Sequence, residues 1–130
     1  MKDYKNINNL KPSDWGYCGW VFLNSIALTY NVEKKEQYKI FFSNLVFPCD
    51  ECTEHYKQHL KELNNALENK DNLLLWLLNI RNSINKEKNK KILTLNESIN
   101  QIFERSNNNL LYLLILFLIV IIIYLLAYHK

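Results

Sequence analysis

Leu110 through Tyr128 is an unbroken run of Leu, Ile, Val, Phe, Tyr and Ala with no charge, glycine or proline. As a helix it spans roughly 28 Å at about 1.5 Å per residue, close to the roughly 30 Å hydrocarbon core of a bilayer. What remains of a 130-residue chain is too small to bury a rod that is apolar all round. The run therefore predicts a transmembrane helix over 110–128, with Tyr112, Tyr124 and Tyr128 near its ends, where amphipathic rings favour the interface. Any folded domain has to come from residues 1–105, joined to the span by an Asn-rich hinge at 106–109.

The opening decapeptide MKDYKNINNL has no apolar segment of the signal-peptide kind. Insertion is then expected after synthesis, through the C-terminal anchor. Lys86, Lys88, Lys90, Lys91 and Arg105 precede the span, which favours keeping that side cytosolic. The expectation is a single-pass membrane protein with a cytosolic head. A formal charge of +3, with lysines spread among acids, gives no case for a nucleic-acid partner. The densest cluster, Lys86 to Lys91, reads as a solvated helix end.

The head contains two glycines (Gly16, Gly19) and two prolines (Pro12, Pro48), and no stretch alternates at strand period. That predicts an all-α fold, a four-helix bundle with a short fifth helix. Pro12 and Ser13 open a first helix running to Tyr30, with Ser13 as N-cap. A second covers Glu33 to Val46, where Tyr38, Phe41, Phe42, Leu45 and Val46 make one apolar face. Pro48 stops it and starts a third, Cys49 to Leu63. A fourth covers Asp71 to Lys86 with Leu73, Leu77, Ile80 and Ile84 as its core stripe. Thr94 and Glu97 form a capping box for the short fifth. A core this small gains from a bound cofactor or a second subunit.

Pro48-Cys49-Asp50-Glu51-Cys52 is the chemical centre. A C-x-x-C at a helix start lets two sulfurs one turn apart reach bonding distance. Unpaired N–H groups and the helix dipole favour a thiolate at Cys49, while Asp50 and Glu51 oppose it. Three chemistries suit such a pair. Cys49, Cys52, His55 and His59 have zinc-like spacing, but on a continuous helix Cys49 and His59 lie about 15 Å apart along the axis. A thioredoxin-like site needs a strand before the motif, and none is predicted. The third is a dithiol on a helical bundle that hands electrons to a cofactor. A glycine-rich Rossmann site is excluded by the glycine count, so such a cofactor would lie among helices against aromatic faces such as Trp20 and Trp76.

Residues elsewhere favour the third. Trp15-Gly16 with Trp20-Val21-Phe22-Leu23, then Tyr30, then Pro48-Cys49-x-x-Cys52-x-x-His55, then Trp76-Leu77 and Asn82-x-Ile84-Asn85 resemble, in order and spacing, the Erv/ALR family of sulfhydryl oxidases. The resemblance covers essentially the whole head. It implies a helical bundle that binds FAD, is usually a homodimer, oxidises protein dithiols and passes electrons to oxygen, giving hydrogen peroxide. It assigns Cys49 as the interchange cysteine and Cys52 as the sulfur against the flavin. Its FAD-contacting positions fall on Trp15, Gly16, Trp20, Asn24, Tyr30, Cys52, His55, Arg81, Asn82, Ile84 and Asn85. Two of these depart from the family pattern: Asn24 and Arg81 stand where the family carries histidine. Arg81 brings a fixed charge able to reach a phosphate.

Cys18 has no counterpart in a second cysteine pair and reads as a small buried hydrophobe. With no shuttle pair, the resemblance implies a substrate that reaches Cys49 directly, such as a small protein with its own C-x-x-C dithiol. A disulfide-making head in a reducing cytosol is unusual for a cell. It suits the large cytoplasmic DNA viruses, which oxidise their virion proteins there. The competing reading is a non-enzymatic, tail-anchored scaffold whose cysteine pair is a structural clip or binds metal.

Overall fold

The computed structural model describes residues 9–128, and residues 105–110 by their backbone alone. Residues 1–8, which hold most of the decapeptide read for a signal segment, lie outside the described residues. Among the described residues there are six α-helices and no strand: α1 (Pro12–Leu28), α2 (Lys35–Ser43), α3 (Asp50–Lys57), α4 (Leu63–Ala66), α5 (Lys70–Glu87) and α6 (Leu95–Tyr128). The all-α expectation holds.

Helix α5 is the hub, packing against α1, α4 and α6. Its Leu73 and Leu77 are fully buried and Ile80 nearly so, each such side chain contributing about 1.5–3 kcal/mol. Trp76 lies edge-on to Phe42 of α2 and Tyr56 of α3, with ring centroids 5.7 and 5.8 Å away. These aromatic contacts join α2, α3 and α5 in one core with Leu23 and Ala27 of α1. Asn69 caps α5, its side chain accepting the Asn72 N–H at 2.8 Å.

Several boundaries differ from the sequence reading, each for a local reason. Lys11, not Ser13, is the N-cap of α1. Pro12 takes the first helical position, where its fixed φ is preorganised, and Asp14 reaches back to accept the Lys11 N–H at 3.2 Å. A 3₁₀ turn at Val32–Lys34 precedes α2, held by Asn31 accepting the Glu33 N–H. Helix α2 ends at Ser43, three residues early, so Val46 falls outside the apolar face and is 80% exposed.

The third helix is not continuous to Leu63. It breaks after Lys57 into a 3₁₀ turn, Leu60–Glu62, and resumes as α4. Trp76 Nε1 donates to the His59 carbonyl at 3.2 Å, which also accepts the Glu62 N–H of that turn at 3.1 Å. The continuity invoked against zinc is therefore absent. Among the described residues, however, no three His, Cys, Asp or Glu side chains are grouped to hold a metal ion.

Thr94 and Glu97 do form the capping box. The Thr94 N–H donates to Glu97 at 2.8 Å and the Glu97 N–H to Thr94 Oγ1 at 3.3 Å. Lys91 also bonds Glu97, and with Thr94 it holds the Glu97 carboxyl down at about 2. The helix so capped is not short. It passes through 106–109, where a hinge is expected, without a break and continues to Tyr128. No glycine or proline interrupts that stretch, and asparagine costs a helix only a few tenths of a kcal/mol up to about 0.7. Leu111–Tyr128 has a mean hydropathy of 3.0 with none of it buried in the protein, apolar and long enough to cross a membrane.

Candidate functional site

The site begins at the N-terminus of α3. Cys49 is its N-cap, in extended conformation, and its sulfur accepts the Cys52 N–H at 3.3 Å. Cys49 and Cys52 are disulfide-bonded, their Cα atoms 5.2 Å apart. Thr53, buried one turn into the helix, fixes the approach to the motif. Its hydroxyl accepts the Phe47 N–H at 3.0 Å and lies 3.2 Å from the Cys49 carbonyl, to which it donates. On the outer side, the Leu10 N–H donates to the Pro48 carbonyl at 2.7 Å. Asn9 accepts the Asp50 N–H at 3.1 Å and donates to the Asp50 carboxylate at 3.2 Å.

Cys52 is half-buried and lines a cavity of about 140 Å³ between α1, α3 and α5. Trp15, Gly16, Gly19 and Trp20 form the α1 wall, His55 and Tyr56 the α3 wall, and Ile80, Ile84 and Glu87 the α5 wall. Trp15 stacks on Phe47 at 5.4 Å, and Phe47 meets Tyr56 edge-on at 5.1 Å. Both glycines of the chain are on this wall. A Cβ on Gly16 would meet only Pro12 Cβ, at 4.0 Å, whereas one on Gly19 would come within 3.0 Å of the Trp15 ring. Gly19 thus lets Trp15 lie along α1, and Gly16 leaves the cavity open.

Two polar atoms in this wall, Trp15 Nε1 and His55 Nδ1, are buried with no hydrogen-bond partner. Buried polar groups are nearly always satisfied. A flat, largely apolar group carrying hydrogen-bonding edges suits a slot lined by such residues. The other His55 nitrogen, Nε2, lies 3.4 Å from Glu87 and 3.5 Å from Ser83 Oγ. His59, its ring 5.3 Å from that of His55, titrates below the usual histidine range because of burial and then because of His55. Burial raises the Tyr56 phenol well above its ordinary pKa, so it stays neutral and donates to the Phe42 carbonyl at 2.8 Å.

Of the residues singled out from sequence, Trp15, Gly16, Trp20, Cys52, His55 and Ile84 line this slot. Asn24, Tyr30, Arg81, Asn82 and Asn85 do not. Asn24 and Arg81 turn instead toward α6. Asn24 Nδ2 donates to Ser98 Oγ at 3.0 Å, Arg81 Nη1 lies 3.5 Å from the same oxygen, and the guanidinium sits 5.7 Å over the Trp20 ring. Arg81 is only 9% exposed, pairs with no carboxylate among the described residues, and burial lowers its pKa. Tyr30 donates to the Leu67 carbonyl at 2.6 Å inside the core. Asn82 bonds both the N–H and the carbonyl of Leu93, tying down the α5–α6 connection. The Asn85 carbonyl accepts the Lys90 N–H.

Gly19, Phe47, Tyr56, Glu87 and Ser98 were not anticipated. One signal did exist, since the only two glycines of the chain sit three apart on a helix and must face something close or something bound. Cys18, expected to be buried, is exposed. It lies between the inward-facing Trp15 and Gly19 on the opposite side of α1.

The Erv1 / Alr family model matches residues 18–105 of this chain. A probable FAD-linked sulfhydryl oxidase of Acanthamoeba polyphaga mimivirus is 34% identical over 102 residues, covering 72% of this chain and 71% of the relative. The FAD-linked sulfhydryl oxidase of Arabidopsis thaliana is 26% identical over 98 residues, covering 71% and 51%. The mitochondrial FAD-linked sulfhydryl oxidase of Saccharomyces cerevisiae is 23% identical over 93 residues, covering 66% and 49%. The chain thus spans about half the length of the plant and yeast relatives. No solved structure matches it significantly.

Proposed function

The chain belongs to the Erv1/Alr family, and we propose that it is an FAD-dependent sulfhydryl oxidase whose redox pair is Cys49–Cys52 and whose flavin occupies the slot beside Cys52. The observation that carries this reading is the pairing of a disulfide with an aromatic slot in which Trp15 Nε1 and His55 Nδ1 are buried without partners.

A substrate thiolate attacks the sulfur of Cys49, forming a mixed disulfide and releasing Cys52 as a thiolate. Cys52, not Cys49, lines the slot, which supports the division of labour. The second substrate thiol then displaces Cys49. That departure is favoured because Cys49 sits where the Cys52 N–H and the helix dipole stabilise a sulfur anion. Trp15, Gly16, Trp20, His55 and Ile84 would hold the flavin ring, and Asn24, Arg81, Asn82 and Asn85 the remainder of the cofactor, while Tyr30, its hydroxyl bonded to the Leu67 carbonyl in the core, serves the bundle instead. FAD bound there supplies the two-electron acceptor and the route to oxygen, with hydrogen peroxide as product. The full-length protein in detergent is expected to be yellow, with the two-band visible spectrum of an oxidised flavin, and to release peroxide with dithiothreitol. A colourless chain that does not turn over dithiols would leave the disulfide a structural clip.

Arg81 gives a second test. A buried cation with no carboxylate is costly to the fold, and replacing buried charge with an apolar side chain of similar size is often neutral or stabilising. Arg81→Met is expected to leave the flavin-free protein as stable as wild type or more so. It should weaken flavin retention roughly ten- to a hundredfold through loss of a charge-assisted contact. Unchanged flavin content after dialysis would reduce Arg81 to packing on Trp20.

The substrate is a protein dithiol, for which a small C-x-x-C protein is the natural form, and the partner subunit is a second copy. Phe22 and Ile40, 57% and 65% exposed on α1 and α2, support a self-associating face. The helix Leu111–Tyr128 anchors the protein, and the lysines ahead of it support a cytosolic head. That placement, with a mimivirus relative, fits a virus that assembles in the cytoplasm. Protease added outside intact microsomes is expected to digest the head, and full protection would put the head in the lumen.

A further inference from the structure

Cys49 is 9% exposed, although both its neighbours, Pro48 and Asp50, are exposed. The segment Asn9–Leu10 is bonded beside it. Its bonds fall on either side of the cysteine: the Leu10 N–H on the Pro48 carbonyl, the Asn9 side-chain oxygen on the Asp50 N–H. Lys11, which follows, is extended, as is Cys49 itself. The segment thus offers a backbone donor to position 48 and a side-chain acceptor to position 50, the two groups that an extended peptide laid alongside would also engage.

We propose that Asn9–Leu10 covers the edge on which the substrate docks, and that the thiol-bearing segment of the substrate reaches Cys49 by replacing it as an extended peptide. Such a peptide carries the same two groups, a backbone N–H for the Pro48 carbonyl and a carbonyl for the Asp50 N–H. Main-chain pairing of this kind is independent of side chains and fixes register. It delivers the substrate sulfur to Cys49, where the new S–S bond forms as the Cys49–Cys52 bond breaks and Cys52 leaves as a thiolate. Asn9 and Leu10 are themselves exposed and hold by a few solvent-facing bonds, so the cover opens at small cost. The identity of the incoming segment as substrate rests on the oxidase reading, but the cover itself does not.

The test uses the full-length protein in detergent, without oxygen, and follows the Cys49–Cys52 disulfide by thiol alkylation and mass shift. The reductants are an unstructured peptide bearing two cysteines and, in parallel, dithiothreitol. Leu10→Pro removes the N–H on Pro48, and Asn9→Ala removes the acceptor for Asp50. Each is expected to speed reduction by the peptide roughly two- to tenfold, the range one lost hydrogen bond allows, and reduction by dithiothreitol less. Should Leu10→Pro disturb α1, seen as lost helical signal, Asn9→Ala decides. Unchanged or slower reduction by the peptide overturns the proposal. Equal acceleration by both reductants also overturns it, since the segment would then only steady the disulfide. Because alkylation reads the cysteines directly, a protein that binds no flavin would sink the oxidase reading and still report on the cover.

Discussion

Replacing either Cys49 or Cys52 by serine is expected to cut turnover by on the order of a thousandfold or more, since neither alone can carry a disulfide, yet the two variants leave different species behind. In Cys52→Ser no sulfur lines the slot, so the flavin spectrum should be that of the isolated cofactor and should not bleach with dithiols. In Cys49→Ser the Cys52 thiol is free beside the ring. Its thiolate can donate into an oxidised flavin, giving a long-wavelength absorption band that fades as pH falls through the thiol pKa. Cys18→Ser, on the exposed side of α1, should turn over normally, with a stability change within about 0.5 kcal/mol. Wild-type rates with dithiothreitol in either Cys49→Ser or Cys52→Ser would remove the disulfide from the mechanism. A band in Cys52→Ser but not in Cys49→Ser would reverse the two roles.

Gly16→Leu should produce an intact, flavin-free protein. A side chain there meets open cavity, its Cβ coming no nearer than 4.0 Å to Pro12, so the native backbone need not shift. Leucine is a better helix former than glycine by about 0.7–1 kcal/mol, so the thermal midpoint should hold or rise. The branched end projects into the slot, and no flat ring can share that space. Flavin affinity is expected to fall by at least a hundredfold, about 2.7 kcal/mol, and peroxide formation with it. Gly19→Ala makes the contrast, since its methyl would sit 3.0 Å from the Trp15 ring carbons. That ring must move, so Gly19→Ala should lower both stability and flavin content. Full flavin content in Gly16→Leu would mean that the cofactor lies elsewhere.

What the sequence disclosed was largely what is local. The Thr94–Glu97 box, the start of α3 just after Pro48 and the apolar run each carry their cause within a few residues and are where they were expected, although α2 ends at Ser43 and is not stopped by Pro48. The break after Lys57 has no glycine or proline to announce it, and the His59 carbonyl inside it takes a second donor, the Trp76 indole, from seventeen residues further along the chain. Likewise nothing in the sequence around Ser98 indicates that it will receive Asn24 from α1 and Arg81 from α5. The aromatic slot was half legible. Trp15, Trp20 and His55 stood out by motif, but Phe47 and Tyr56 belong to no motif, and which nitrogens would lack partners depends on packing. Cys18 was misread as buried because cysteine usually is, whereas the phase of α1 is set by the faces of Trp15 and Leu23.

The unbroken course of α6 has a mechanical consequence. Its first turn is locked into the head through Ser98 and the Thr94 cap, and its last eighteen residues are apolar and long enough to cross a membrane. Residues 99–110, roughly 18 Å at about 1.5 Å per residue, stand between the two. Where Leu111–Tyr128 crosses a bilayer, a helix continuous through 106–109 would hold the head less like a bead on a tether than like a lamp on a post, its disulfide at a set height above the lipid. Encounter would then become a geometric filter, favouring thiols presented near that height over those pressed against the bilayer.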